Sequence, residues 1–243
     1  MSLLMDAGAW LGDTANWQGS GGVPTRTLQH LAITAGSVGA AVAIALPIGI
    51  LIGHTRRGAG AIGALAVAAR AVPTLGLLTL FGLAYGIGLQ ASVAALVVLA
   101  IPSVLTAAYA GVQSVDAATV SAAKAVGMRP HQVVFRVELP LASPVIIGGI
   151  RAATLQVAAT ATLAAYIADF GLGRYLFAGL KSRDYPQMLA GALLVAALAL
   201  LLELALAAAQ RCAAARLADP ARSAGSSGPD RTEIRSTQKG PHS

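Results

Sequence analysis

AVPTLGLLTLFGLAYGIGLQASVAALVVLAIPSVLTAAYAGVQSV, residues 71–115, holds no Asp, Glu, Lys or Arg. One membrane-crossing helix takes about 20 apolar residues, so this stretch is too long for a single crossing. Its weakly polar centre, GIGLQ at 86–90, divides it into a second span over roughly 61–85, with Arg70 inside it, and a third over roughly 90–112. Working outward, the run centred on residues 31–53 between Arg26 and Arg56 gives a first span. Residues 144–168 give a fourth and residues 188–209 a fifth. The fold expected is therefore all-α and membrane-integral, with five transmembrane helices.

Composition agrees. Hydrophobic residues make up 56% of the 243-residue chain and charged residues 11%, against roughly a quarter charged in a soluble domain. Such a chain cannot cover a surface that faces water. The net charge of +7 does not mark a nucleic-acid binder, because the basic residues sit at the ends of apolar stretches and in the tail, and build no basic face. They follow instead the bias of Lys and Arg toward cytoplasmic loops. With the N-terminus outside, the inner loops hold Arg56, Arg57, Lys124, Arg129 and Arg136, and the tail adds Arg211 and Arg216. The outer segments hold Arg26, Arg174, Lys181 and Arg183. Five spans then put the C-terminus in the cytoplasm.

Residues 1–26 lack the basic start and compact apolar run of a signal peptide. They read as an extracytoplasmic or interfacial segment in which Trp10 and Trp17 settle at the bilayer surface. Residues 27–212 form the membrane domain. Residues 213–243 read as a disordered cytoplasmic tail, because the stretch after roughly Ala218 is rich in Ser, Gly and Pro and has almost no apolar residues. The single cysteine, Cys212, rules out an intrachain disulfide.

The third and fourth spans are joined by a polar stretch over 116–140, which reads as two short helices and a turn. Asp116 suits the N-cap of the first helix. Gly127 lies where a stopping helix needs positive φ. Pro130 suits the first turn of the second helix, and Pro140 is expected to end it. Within this stretch SAAKAVGMRPHQVVFRVELP (121–140) resembles the EAA loop of ABC importer permeases. Ala122 and Ala123 stand for its paired alanines, Gly127 for its glycine, and Val137, Leu139 and Pro140 for its I-x-L-P ending, with Ser121 where the family usually has Glu. The alternative, an amphipathic helix lying on the membrane, does not need these residues at these spacings. Residues 69–83, 149–180 and 190–206 are also similar to the permeases for glycine betaine, carnitine and choline, the osmoprotectant branch.

The resemblance implies a type I ABC importer permease in the plasma membrane of a bacterium. Ser121, Ala122, Ala123, Gly127, Met128, Leu139 and Pro140 would dock on a separate ATPase subunit as cytoplasmic coupling helices. A second permease subunit and an extracytoplasmic substrate-binding protein complete the implied assembly, and no cofactor is expected. No phosphate loop of the G-x-x-x-x-G-K-[ST] type occurs in the chain, so ATP chemistry belongs to the partner. Methionine or another amino acid is the alternative cargo.

Candidate pathway residues are Arg70, Tyr85, Tyr109, Gln156, Thr160 and Glu203. Intramembrane charges are costly and mark function or pairing, and tyrosine faces attract quaternary ammonium cations. Each has a plainer reading. Glu203 and Arg70 equally suit pairing between helices, Arg151 suits snorkelling to the interface, and the tyrosines suit interfacial anchoring. The G-x-x-x-G pairs Gly49/Gly53 and Gly82/Gly86 suit close helix packing. An ion-gradient-driven transporter would rest on Glu203 alone and leaves 121–140 without a purpose. An embedded lipid enzyme lacks the clustered carboxylates or His and Ser it would need, since His30, His54, His131 and His242 are scattered.

Overall fold

The computed structural model describes residues 3–58, 60, 63, 64, 68 and 71–223, with side chains described through 211. Nine helices are named here: α1 (Leu3–Gly12), α2 (Val23–Thr55), α3 (Thr74–Tyr85), α4 (Leu89–Gln113), α5 (Ala117–Ala125), α6 (Pro130–Val133), α7 (Leu139–Ala164), α8 (Gly173–Ser182) and α9 (Tyr185–Ser223). A 3-10 turn, Thr14–Trp17, follows α1. Among the described residues four helical stretches are long and apolar enough to cross a membrane: Val23–Thr55, Leu89–Gln113, Pro130–Ala164 and Tyr185–Arg211. The second span expected over 61–85 is represented by the shorter apolar helix α3. Arg70 lies outside the described residues.

The bundle is held by small side chains. With lipid as apolar as leucine, membrane helices associate through close packing, and alanines carry much of this core. Ala41, Ala95, Ala100, Ala161 and Ala164 join Ile33, Leu78, Leu96 and Val157 in one cluster that draws on α2, α3, α4 and α7. Gly49 and Gly53 bring α2 against α4. A Cβ on Gly49 would stand 2.6 Å from the Ala108 Cβ and 2.8 Å from the Leu105 carbonyl. One on Gly53 would stand 2.7 Å from the Val112 Cβ. The packing expected of this glycine pair is what the structure has. The pair Gly82/Gly86 is different: Gly86 has φ +88 and ends α3. Gly149 does for α7 and α4 what Gly49 does for α2, since a Cβ there would run into the Ala107 side chain.

The prolines also divide. Pro47 and Pro102 lie within α2 and α4, which run on through them, whereas Pro73 stands at the N-cap of α3. Pro140 does not end a helix. The second short helix, α6, runs through a π-helical turn, Val134–Glu138, directly into α7, with Pro140 in its first turn. A proline ring in an α-helix clashes with the carbonyl four residues back. The wider π turn, in which the Leu139 N–H donates to the Val134 carbonyl, removes that clash and keeps the helix continuous. The last helix likewise passes residue 212, where a disordered tail was expected, and reaches Ser223. Residues 212–218 are mostly alanine with Leu217, which favours helix. The remainder of the tail lies outside the described residues.

Candidate functional site

The corner between α4 and α7 is the most sharply built feature of the molecule. Asp116 caps α5 through its carboxylate, which accepts from the Ala118 N–H at 3.2 Å. At the other end of α5, the Gly127 N–H donates to the Lys124 carbonyl at 3.0 Å and the Met128 N–H to the Ala123 carbonyl at 3.2 Å. With Gly127 at φ +86, this is a Schellman stop. Its accompanying apolar contact is also present, because Ala123 and Met128 pack in one cluster with Val112, Val120, Val133 and Ile146. Pro130 then opens α6, and the Gln132 side chain accepts from the Arg129 N–H at 2.8 Å.

This packing sorts the corner's side chains into two faces. Ala123 and Val133 are buried, while Met128, Val134, Val137 and Leu139 are half-buried. Ser121, Ala122, Gly127 and Pro140 are exposed, and Val126 and Phe135 stand out at 79% and 69% exposure. Val133 and Met128 therefore point into the corner, and Val126 and Phe135 point away from it. Glu138, which the sequence reading passed over, is 4% exposed. Its carboxylate meets His54 Nδ1 at 2.7 Å. That pair ties the last turn of α2 to the π turn, so the corner is braced on two helices. An acidic residue inside the otherwise apolar VELPL was the only signal for it.

The pathway candidates fall into separate places. Gln156 and Thr160 lie together on α7, where the Thr160 hydroxyl donates to the Gln156 carbonyl at 2.8 Å. Ser103 of α4 joins them, donating to Gln156 Oε1 at 2.9 Å. Tyr85, at the C-terminal end of α3, is 65% exposed and stacks on Phe81 with ring centroids 5.7 Å apart. Tyr109 packs against Ala45, Val104 and Leu105 near the opposite end of α4, far from Tyr85 along the bundle. Glu203 is taken by Arg151, which grips it with two guanidinium nitrogens, Nε at 2.9 Å from Oε2 and Nη2 on Oε1. Arg151 Nη1 also donates to Gln210 Oε1 at 2.9 Å. Arg151 is therefore paired across the bundle. It fastens α9 to α7.

The end of the bundle opposite the corner carries a second ionic brace. Asp169 accepts from Arg26 and from Arg174, each at 3.1 Å, and Arg26 also donates to the Asp169 carbonyl at 2.9 Å. The Gln29 side chain accepts from the Gly171 N–H at 3.1 Å. Tyr175 donates its hydroxyl to the Gly21 carbonyl at 2.6 Å and meets the edge of Trp10. Burial holds the Tyr175 phenol above the usual tyrosine pKa, with nearby Arg26 opposing in part. Among the described residues no cluster of His, Cys, Asp or Glu has the makings of a metal site.

Four helical stretches long and apolar enough to cross a membrane, joined by a capped and partly apolar corner, define a multi-pass membrane protein. Residues 45–218 match the family of binding-protein-dependent transport system inner membrane components, and the chain belongs to that family, as the permease of an ABC importer. It is 34% identical over 186 residues to the choline transport system permease protein OpuBB of Bacillus subtilis, covering 76% of this chain and 86% of that protein. It is 31% identical to the glycine betaine/carnitine/choline transport system permease protein OpuCB of the same organism, with the same coverage. Among solved structures it resembles an inward-facing MetNI methionine ABC transporter chain with a TM-score of 0.67 and 25% identity, over 76% of this chain and 93% of that one.

Proposed function

We propose that this permease imports quaternary-amine osmoprotectants such as glycine betaine, choline, carnitine and proline betaine, driven by ATP hydrolysis on a separate subunit. The substrate class rests on the relatives, whose names specify choline, betaine and carnitine. In this reading α3 belongs to a fifth crossing. The N-terminus lies outside, the C-terminus lies in the cytoplasm, and the 116–140 corner is cytoplasmic. The membrane domain spans 27–212, and the chain pairs with a second permease subunit and receives substrate from an extracytoplasmic binding protein.

The observation that carries the coupling role is the corner itself. Val126 and Phe135 are apolar and exposed, on a segment braced by a Schellman stop and by the His54–Glu138 pair. An exposed apolar patch on a rigid segment outside the membrane is the mark of a partner surface. The π-helical continuity of α6 with α7 means that a push on the corner moves a whole spanning helix without being absorbed by a flexible loop. Closure of the ATPase pair would thereby turn the pathway from one face of the membrane to the other. Ser121, Ala122, Ala123, Gly127, Met128, Leu139 and Pro140 are the residues assigned to that coupling.

A methionine cargo is the second reading, favoured by the fold likeness to the methionine transporter. Uptake by the complete system in proteoliposomes, offered betaine, choline, carnitine and methionine with ATP inside, decides between them. Quaternary-amine uptake that stops without ATP supports the proposal. Methionine uptake with no quaternary-amine uptake overturns it.

A further inference from the structure

The polar group on α4 and α7 has a feature that neither its relatives' names nor the fold explains. Ser103 and Gln156 both sit near the middle of their spanning helices, and their hydrogen bond of 2.9 Å is on an exposed side of the bundle. α4 carries no charged residue along its length, and the one charge on α7, Arg151, is engaged by Glu203 and Gln210. The face is therefore polar but uncharged.

An amide in hydrocarbon with unmatched donors is costly, and polar side chains within membrane spans face a bundle interior or a water-filled cavity. The exposed Ser103–Gln156 face is accordingly one turned away from lipid, toward a water-filled path or a second copy of the chain. The hydrogen bond from Ser103 orients the amide. Ser103 donates to Oε1 of Gln156, so the carbonyl side of the amide is turned toward α4 and occupied. The Nε2 amine, with its two N–H donors, has no protein partner among the described contacts. Thr160 is engaged one turn along with the Gln156 backbone carbonyl and leaves that amine free.

We propose that Gln156 is a substrate-contacting specificity residue of the translocation path, with its amine donating to the carboxylate of a betaine-type substrate, and that Ser103 is the positioning residue that holds the amide in that orientation. The inference rests on the quaternary-amine reading above and deepens it. A quaternary ammonium group has no N–H to donate and needs only low charge density around it. A carboxylate in the path would trap it, whereas a neutral amide releases it. The distinguishing handle on a betaine is its carboxylate, and a hydrogen bond to a charged acceptor is stronger than one to the neutral hydroxyl of choline.

The test uses the complete importer in proteoliposomes with its binding protein saturated, and reads the ratio of maximal betaine uptake to maximal choline uptake. Gln156→Leu is expected to lower that ratio about tenfold, in keeping with one charge-assisted hydrogen bond lost. Ser103→Ala should lower it less, and Ser103→Thr, which keeps the hydroxyl, should restore it. An unchanged ratio in Gln156→Leu overturns the inference while leaving the quaternary-amine function standing. An equal loss of both substrates, with a lower thermal midpoint or a dissociated permease pair, also overturns it, because the residues then seat a second copy of the chain. If wild type carries methionine and no quaternary amine, the substrate reading falls and this inference with it.

Discussion

Replacing Gly127 by alanine isolates the backbone of the coupling corner from everything else. A Cβ at this position meets nothing within 4 Å, and φ is +86, so no steric contact is introduced and the whole cost is conformational. An L-residue in the left-handed region costs about 1–2 kcal/mol, which shifts a two-state equilibrium by roughly 5–30-fold. That cost falls on the Schellman stop, whose loss frees Met128 from the Ala123 carbonyl and lets the α5–α6 angle vary. Affinity of the permease for its ATPase subunit, titrated in detergent, should fall by up to that factor. The thermal midpoint of the spanning bundle should stay put, because Gly127 is exposed. Asparagine tolerates positive φ better than alanine, so Gly127→Asn should bind between wild type and Gly127→Ala. Equal binding by wild type and Gly127→Ala would refute the reasoning. Equal damage by Asn and Ala would refute it too, since it would mean that any side chain at this point obstructs docking and that φ is not the cause.

Four further outcomes follow from the packing and the charged and titrating groups. Gly49→Val must part α2 from α4, because even a Cβ stands 2.6 Å from Ala108. Overpacking of this kind costs about 1–3 kcal/mol, seen as a lower unfolding midpoint in detergent. Glu203→Leu strands the Arg151 guanidinium and should lower the midpoint, while Arg151→Leu/Glu203→Leu together should recover most of the loss. A Glu203→Gln variant that stays active with ATP and needs no ion gradient would separate this protein from gradient-driven carriers. Tyr175 is held above the ordinary tyrosine pKa of about 10 by burial. The folded state thus keeps its phenolic proton when the unfolded chain has lost it. The stabilisation is fully present below pH 10 and is lost as the pH rises through the higher folded value. Trp10 fluorescence should report α8 loosening over that range in wild type, and Tyr175→Phe should lack the step.

Four of the five expected spans match long apolar helices, because hydropathy needs no knowledge of neighbours. The charge-free runs on either side of 86–90 became α3 and α4, and the helix stop at Gly127 followed from residue chemistry within five positions. The same local reasoning failed at Pro140, because the π turn that accommodates the ring depends on how α7 is held by its neighbours, and a proline alone reads as a stop. Pairings across the bundle were hidden for a related reason. Arg151 and Glu203 are 52 residues apart in sequence and His54 and Glu138 are 84 apart, and each pair meets only once the rotation of two helices about their axes is set. A strongly apolar helix such as α9 has too little amphipathic pattern to reveal that rotation. Ser103 was missed beside Gln156 on the same ground.

The central claim is that residues 116–140 dock an ATPase subunit onto this permease. Co-purification in mild detergent from the source cells, with mass spectrometry of what stays bound, tests it most directly, with wild type beside Gly127→Trp. Recovery of a phosphate-loop ATPase with wild type, and its loss with a Gly127→Trp protein of unchanged thermal midpoint, is the predicted result. An ATPase that binds both proteins equally, or none bound to wild type, contradicts the account.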